Sequence, residues 1–221
     1  MGRANVKKTP IDNSSVDQVL EFARQRIVSG EYPPDTKLLP KILAAECGTS
    51  LIPVREAMRV LESEGLVVFI HNRGAFVAPL SLSELNELYK IRIELETEAV
   101  RGAETLTSSD IKKLREILRL SSVASKAKDN RTVIKLNQDF HFSIYRHSNS
   151  PLRIRLIETL WLHSERYQRY SLEFRENTAD LEHLAIVDAL ARDDLDAAAS
   201  ALEQHLLSTV ALLNKAWSVL D

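Results

Sequence analysis

The chain has 221 residues, 27% of them charged, 44% hydrophobic and only 6% aromatic, with a formal net charge of −2. Its six Gly and seven Pro amount to roughly half the combined share of an average globular protein. That balance indicates a mostly helical chain and excludes collagen-like, low-complexity and disulfide-stapled classes. A near-neutral charge excludes coating of nucleic acid by bulk electrostatics, but a local basic face stays open.

Residues 1–14 are polar, carry Arg3, Lys7 and Lys8, and lack an apolar signal core, so a loose arm is expected. No run approaches the 18 or so apolar residues of a membrane-spanning helix. The single cysteine, Cys47, forms no internal disulfide and suits a reducing cytosol. With Leu43 and Leu51 at helical spacing, it reads as a small core residue. A cytoplasmic protein without a membrane partner is expected.

Val19, Leu20, Ala23, Ile27 and Val28 recur at helical spacing, which predicts a first helix over Val16–Ser29 that stops at Gly30. Tyr32-Pro33-Pro34-Asp35 is a turn. A short second helix is expected from Pro40 to Cys47, ended by Gly48, and a third from Ser50 to Glu64, closed by Gly65. Pro53 sits in the first turn of the third, where the missing donor costs nothing. Two β-prone runs, Leu66–Ile70 and Ala75–Ala78, flank the turn His71-Asn72-Arg73-Gly74 and predict a hairpin that Pro79 ends.

Beyond Leu80 the texture changes. One Gly (Gly102) and one Pro (Pro151) remain in residues 81–221, and the spacing predicts helices near 82–104, 109–127, 130–147, 151–175, 178–192 and 194–219. Ser83, Ser109, Asn130 and Asp194 are the expected caps. The predicted fold is therefore mainly α. A winged helix-turn-helix with a small β-hairpin wing occupies residues 1–79, and an all-α helical bundle occupies residues 80–221. Residues 1–80 carry a net charge of +1 and residues 81–221 a net charge of −3.

Three helices followed by a hairpin outline a winged helix-turn-helix, whose recognition helix enters the major groove of double-stranded DNA. Arg55 and Arg59 then face guanine edges or phosphates with their planar forks. Arg73 stands at the wing tip, and Gly74 lets the backbone approach closely. Equally open on periodicity alone is a solvated helix on which Arg55 and Arg59 pair with Glu56, Glu62 or Glu64.

The segment Ser50-Leu51-Ile52-Pro53-Val54-Arg55-Glu56-Ala57-Met58-Arg59-Val60-Leu61-Glu62-Ser63-Glu64-Gly65-Leu66-Val67 resembles the recognition helix of GntR-family transcription regulators. The resemblance reaches back through Ile27-Val28-Ser29-Gly30, Pro33 and Leu38, and forward to the wing Arg73-Gly74-Ala75-Phe76-Val77. It implies DNA contacts at Lys41, Ser50, Arg55, Arg73 and Gly74. Leu51 stands where the family usually has a basic residue, and Ile52 is also more apolar than usual; Leu51 can instead meet a thymine methyl.

In the helical half, Asn137 and His141 share a face with Ile134 and Ile144. His183 shares one with Ile186, Val187 and Leu190, and His205 one with Ala198, Ala201, Leu202 and Leu212. Three inward imidazoles and an amide suit Zn, with Ni, Fe or Mn as further options. Separate core histidines satisfied by hydrogen bonds are the other reading. Leu136-Asn137-Gln138-Asp139-Phe140-His141, Ser148-Asn149-Ser150-Pro151-Leu152, Glu182-His183 through Leu190, and Gln204-His205-Leu206 resemble the FCD domain, the effector domain of FadR-type GntR regulators. Leu88-Tyr89-Lys90-Ile91-Arg92 with Leu95-Glu96 is similar to its opening helix.

The resemblance implies a divalent metal on Asn137, His141, His183 and His205, with Asn137 standing where many members have Asp. It also implies a small carboxylate effector that completes the metal's coordination, with Arg92 holding the anion's other end by bidentate hydrogen bonds. For Arg92 the alternative is a helix-surface salt bridge with Glu96. Arg166, Arg169 and Arg175, with Tyr167 and Tyr170, form a basic-aromatic stretch that reads as a solvated helix face, with lining of the pocket as the alternative, and His147 and His163 read as partly exposed. The function expected is a ligand-responsive repressor acting as a homodimer on operator DNA. A metal-dependent enzyme and a DNA-binding protein with a purely structural metal are the alternatives, and the absence of a His-Glu-x-x-His motif weighs against the enzyme.

Overall fold

Helix α1 (Asn13–Ser29) buries Val19, Ala23 and Ile27, three residues spaced by four, and this stripe seeds the first core. The computed structural model describes residues 13–171 and 178–220, so the expected arm up to residue 12 lies outside them. Strand β1 (Lys37–Leu38) leads into α2 (Pro40–Glu46), which begins with Pro at its first position. Helix α3 (Leu51–Ser63) packs Val54, Ala57, Met58 and Leu61 against α1, while Arg55 and Arg59 face solvent.

Gly65 ends α3 in the left-handed region at φ 72, and the Leu66 N–H then bonds back to the Leu61 carbonyl at 2.9 Å. The C-cap residue Glu64 places a carboxylate where the helix dipole disfavours it. Arg24 of α1 offsets this with hydrogen bonds of 2.6 and 3.3 Å to the two Glu64 oxygens.

The wing is a three-stranded antiparallel sheet in the order β1-β3-β2, with β2 spanning Val67–Ile70 and β3 Gly74–Val77. The sequence indicates only the β2–β3 hairpin. Strand β1 adds Lys37 opposite Phe76 and Leu38 opposite Ala75; two residues are too few to show an alternation. Gly74 opens β3 at φ 98, a conformation that L side chains avoid. Cys47 is half-buried against this core, and Leu51, expected beside it, is exposed because α3 turns its first residues outward.

The chain divides into two units, Met1–Pro79 and Leu80–Asp221. The second contains α4 (Leu82–Arg101), α5 (Ser108–Lys126), α6 (Asn130–Tyr145), α7 (Pro151–Ser171), α8 (Thr178–Leu190) and α9 (Leu195–Leu220). Helix α4 packs on α9 and α7, α8 on α9 and α5, and α6 on α5 and α7. Small residues let α9 approach closely, since Ala198 and Ala199 are fully buried.

Three expected caps are corrected. Ser81 accepts from the Glu84 N–H, Thr107 forms a reciprocal capping box with Asp110, and Asp129 accepts from the Thr132 N–H. Each cap lies one or two residues before the expected Ser83, Ser109 or Asn130, at the residue whose side chain reaches the backbone or side chain three positions ahead. Asp194 does cap α9, accepting from the Ala197 N–H at 3.0 Å.

The reading of a solvated face on α7 is also corrected: Arg166 and Tyr167 are buried, at 2% and 1% exposure. The Tyr167 hydroxyl accepts from the Ser81 N–H at 3.2 Å and has the Ser81 carbonyl and Glu84 Oε2, each at 3.2 Å, as acceptors for its one proton, which ties that part of α7 inward. The side chains of Arg169 and Tyr170, and all of Arg175, lie outside the described residues.

Candidate metal centre and nucleic-acid interface

His141 on α6, His183 on α8 and His205 on α9 converge in the helical core at 1%, 5% and 2% exposure. Each offers a nitrogen within 4.8 Å of the others. The Nε2 atoms of His183 and His141 stand 3.3 Å apart. An ion at about 2.0–2.1 Å from both, the usual zinc–imidazole distance, would close an angle near the tetrahedral value.

Two outer contacts orient these rings. Glu182 Oε2 lies 2.8 Å from His205 Nδ1, and the Tyr145 hydroxyl lies 3.0 Å from His141 Nδ1. An imidazole whose Nδ1 is engaged in this way presents Nε2 as the donor for a metal. One helical turn before His141, Asn137 is buried and its Oδ1 has no hydrogen-bond partner. A buried acceptor left unmade costs about 1–3 kcal/mol, and a cation beside it would remove that cost. The donor set of three imidazoles and one amide oxygen can hold a divalent transition ion.

A small cavity opens beside these residues, lined by Tyr89, Arg92, Asn137, His141, Trp161, Gln168, His205, Leu206 and Thr209. Its free volume is about 10 Å³, roughly the room of one water or one ion, so an organic anion enters only if the lining side chains move. Arg92 Nη1 and the Tyr89 hydroxyl are buried there without hydrogen-bond partners.

The Arg92–Glu96 pair anticipated as a surface salt bridge exists but is buried, with side-chain exposures of 1% and 0%. Arg92 spends its Nε and Nη2 on Glu96, at 2.6 and 3.3 Å, lines the cavity, and keeps Nη1 buried without a hydrogen-bond partner. Burial alone would lower the Arg92 pKa, but Glu96 overrides it and holds the guanidinium above its ordinary value. The ring of Trp161 lies 4.5 Å below the guanidinium. Burial pushes the Glu165 carboxyl up to about 7, although Trp161 donates to it at 3.0 Å. His147 and His163 are half-buried and stand apart from the imidazole group.

In the first unit Lys41, Ser50, Arg55, Arg59, Arg73 and Gly74 are all exposed. Ser50 is the N-cap of α3, yet its hydroxyl makes no capping hydrogen bond. Arg59 lies 3.6 Å from Glu56 on an exposed turn, a weak pairing. The Arg73 guanidinium and the Lys37 ammonium lie 5.5 and 5.8 Å from the Phe76 ring centre, so the wing carries two cations rather than one. Lys37 was not legible as a wing residue because strand β1 was not. Leu51 and Ile52 are exposed at 37% and 61% at the start of α3, an apolar edge on an otherwise polar face.

A winged helix-turn-helix carried on one chain with a helical bundle, the bundle holding a buried imidazole cluster and a small polar cavity, defines a DNA-binding regulator with a separate helical domain. The gntR family of bacterial regulatory proteins matches residues 16–77, and the FCD domain matches residues 87–208. The chain is 31% identical over 202 residues to the HTH-type transcriptional regulator McbR of Escherichia coli K12, covering 89% of this chain and 91% of McbR. It is 29% identical over 192 residues to the HTH-type transcriptional repressor RspR of the same organism, covering 86% and 84%. The solved structure of E. coli McbR/YncC superposes with a TM-score of 0.81 at 28% identity, covering 92% of this chain and 98% of that one. The chain belongs to the GntR family, in the branch that carries an FCD domain, and is a DNA-binding transcriptional regulator. Its relatives and structural neighbours are regulators rather than enzymes, which removes the metalloenzyme alternative. Among the described residues no helix is long and apolar enough to cross a membrane.

Proposed function

We propose that the protein is a cytoplasmic repressor that binds a two-fold operator as a homodimer and senses a small carboxylate through a metal centre in its helical domain. The observation that carries this reading is that His141 and His205, two of three clustered buried imidazoles, line one small cavity together with Asn137 and Arg92, whose Oδ1 and Nη1 have no hydrogen-bond partner. His141, His183, His205 and Asn137 are the metal ligands, and the donor set suits Zn²⁺ foremost, then Ni²⁺, Fe²⁺ or Mn²⁺. The ion supplies a Lewis-acidic position for one carboxylate oxygen. Arg92 receives the other end of the anion on its Nη edge, with the Tyr89 hydroxyl as a second donor.

On DNA, Arg55 is the leading base or phosphate contact, with Lys41, Ser50 and Arg59 beside it and Arg73 and Gly74 at the wing. One winged domain makes few contacts, so two copies on successive major grooves supply affinity and specificity. Repression follows the repressor character of the relative RspR. The anion acts by its differential affinity for the DNA-competent and DNA-incompetent arrangements.

Fluorescence anisotropy on the protein's own promoter DNA, with zinc-loaded protein and a panel of mono- and dicarboxylates, tests the reading. At least one acid releases the wild type at concentrations that leave Arg92→Gln bound. Equal response of both proteins, or of neither, removes the proposed sensor.

A further inference from the structure

Arg92 and Glu96 lie one turn apart on α4, and His141 and Tyr145 lie one turn apart on α6. The two pairs join into one chain. Arg92 Nε donates to Glu96 Oε1 at 2.6 Å, the Tyr145 hydroxyl donates to Glu96 Oε2 at 2.5 Å, and the Tyr145 oxygen lies 3.0 Å from His141 Nδ1. All four side chains are buried, at 1% exposure or less.

The proton count fixes the direction of every bond in it. A carboxylate only accepts, and Glu96 is already the acceptor of two guanidinium N–H groups. Tyr145 has one hydroxyl proton, and it goes to Glu96. The Tyr145 oxygen therefore accepts from Nδ1–H of His141. That tautomer leaves the lone pair on Nε2, the atom that faces His183 Nε2 at 3.3 Å.

We propose that Tyr145 and Glu96 are positioning residues for the metal centre, holding His141 in its metal-binding tautomer through a buried chain anchored on Arg92. The inference rests on the metal reading above and adds two residues that touch neither metal nor effector. The other oriented imidazole, His205, is served directly by Glu182, which is 28% exposed. Solvent weakens that contact, whereas the Tyr145 chain is fully shielded. Because Arg92 also faces the cavity, the same chain places the anion-binding group and a metal ligand in one hydrogen-bonded unit.

Zinc competition titration of the full chain against a chromophoric chelator tests this, with wild type, Tyr145→Phe, Glu96→Gln and His141→Ala compared. Wild type is expected to bind one zinc per chain and His141→Ala to lose it. Outer-sphere partners of metal ligands typically contribute about 10–100-fold in affinity, so Tyr145→Phe is expected to bind that much more weakly. Glu96→Gln is expected to shift in the same direction. Phenylalanine keeps the ring packing on Phe142 and His141, and far-UV circular dichroism of the zinc-free proteins checks that the fold is intact.

Zinc affinity of Tyr145→Phe within about threefold of wild type, alongside loss in His141→Ala, overturns the positioning role and leaves the metal centre standing. Failure of wild type itself to bind zinc overturns both. A second measurement needs no variant: long-range ¹H–¹⁵N spectra of zinc-free wild type are expected to show His141 as the Nδ1–H tautomer. The Nε2–H tautomer there contradicts the proposal.

Discussion

His183 and His141, 42 residues apart in the chain, bring their Nε2 atoms to 3.3 Å across α8 and α6. Two buried imidazole nitrogens at that separation share one proton or one cation, and the unpartnered Asn137 Oδ1 nearby favours the cation. An amide oxygen is a weaker ligand than a carboxylate and leaves the centre one unit more positive. Asn137→Asp is therefore expected to tighten zinc by at least about tenfold, roughly 1.4 kcal/mol, and to weaken the carboxylate response. Calorimetric titration checks both; unchanged zinc affinity removes Asn137 from the ligand set.

Arg55 is exposed on the outer face of α3, while its neighbour Arg59 leans toward Glu56 at 3.6 Å. Arg55→Ala is expected to cost about 1–3 kcal/mol of operator binding, and Arg59→Ala less. Binding isotherms on promoter DNA at fixed salt give the comparison. An Arg55→Ala isotherm that overlays the wild type would take Arg55 off the DNA.

Glu165 sets a pH dependence. Its carboxyl is pushed up to about 7 by burial, above its ordinary value near 4.3. Between these values the folded chain holds a proton that the unfolded chain has released, so stability falls as pH rises through this window and levels off above it. Glutamine mimics the protonated form and keeps the acceptor for Trp161. Glu165→Gln is thus expected to match wild type near pH 4 and to exceed its thermal midpoint near pH 8. A constant difference across that range would contradict the assignment.

The two architectures were legible because their signals are local. Gly48 and Gly65 bracket α3, and the apolar spacing of Val54, Ala57, Met58 and Leu61 identifies its buried face. The inward faces of α6, α8 and α9 likewise showed that Asn137, His141, His183 and His205 sit among apolar neighbours. What spacing cannot give is a partner on another helix. Glu96 reads as an ordinary i+4 mate for Arg92, and only packing of α4 on α6 adds Tyr145 and seals the pair from water. Tyr167 reads as a surface aromatic until its hydroxyl finds Ser81, 86 residues away. Strand β1 escaped because its two residues gain strand character only from β3.

Whether the buried imidazoles hold a metal is decided by elemental analysis of protein purified without chelators, comparing wild type with a His141→Ala/His183→Ala double variant. About one equivalent of divalent metal per chain in wild type, lost in the double variant, is the expected result; equal metal content in the two proteins would contradict a metal on these imidazoles.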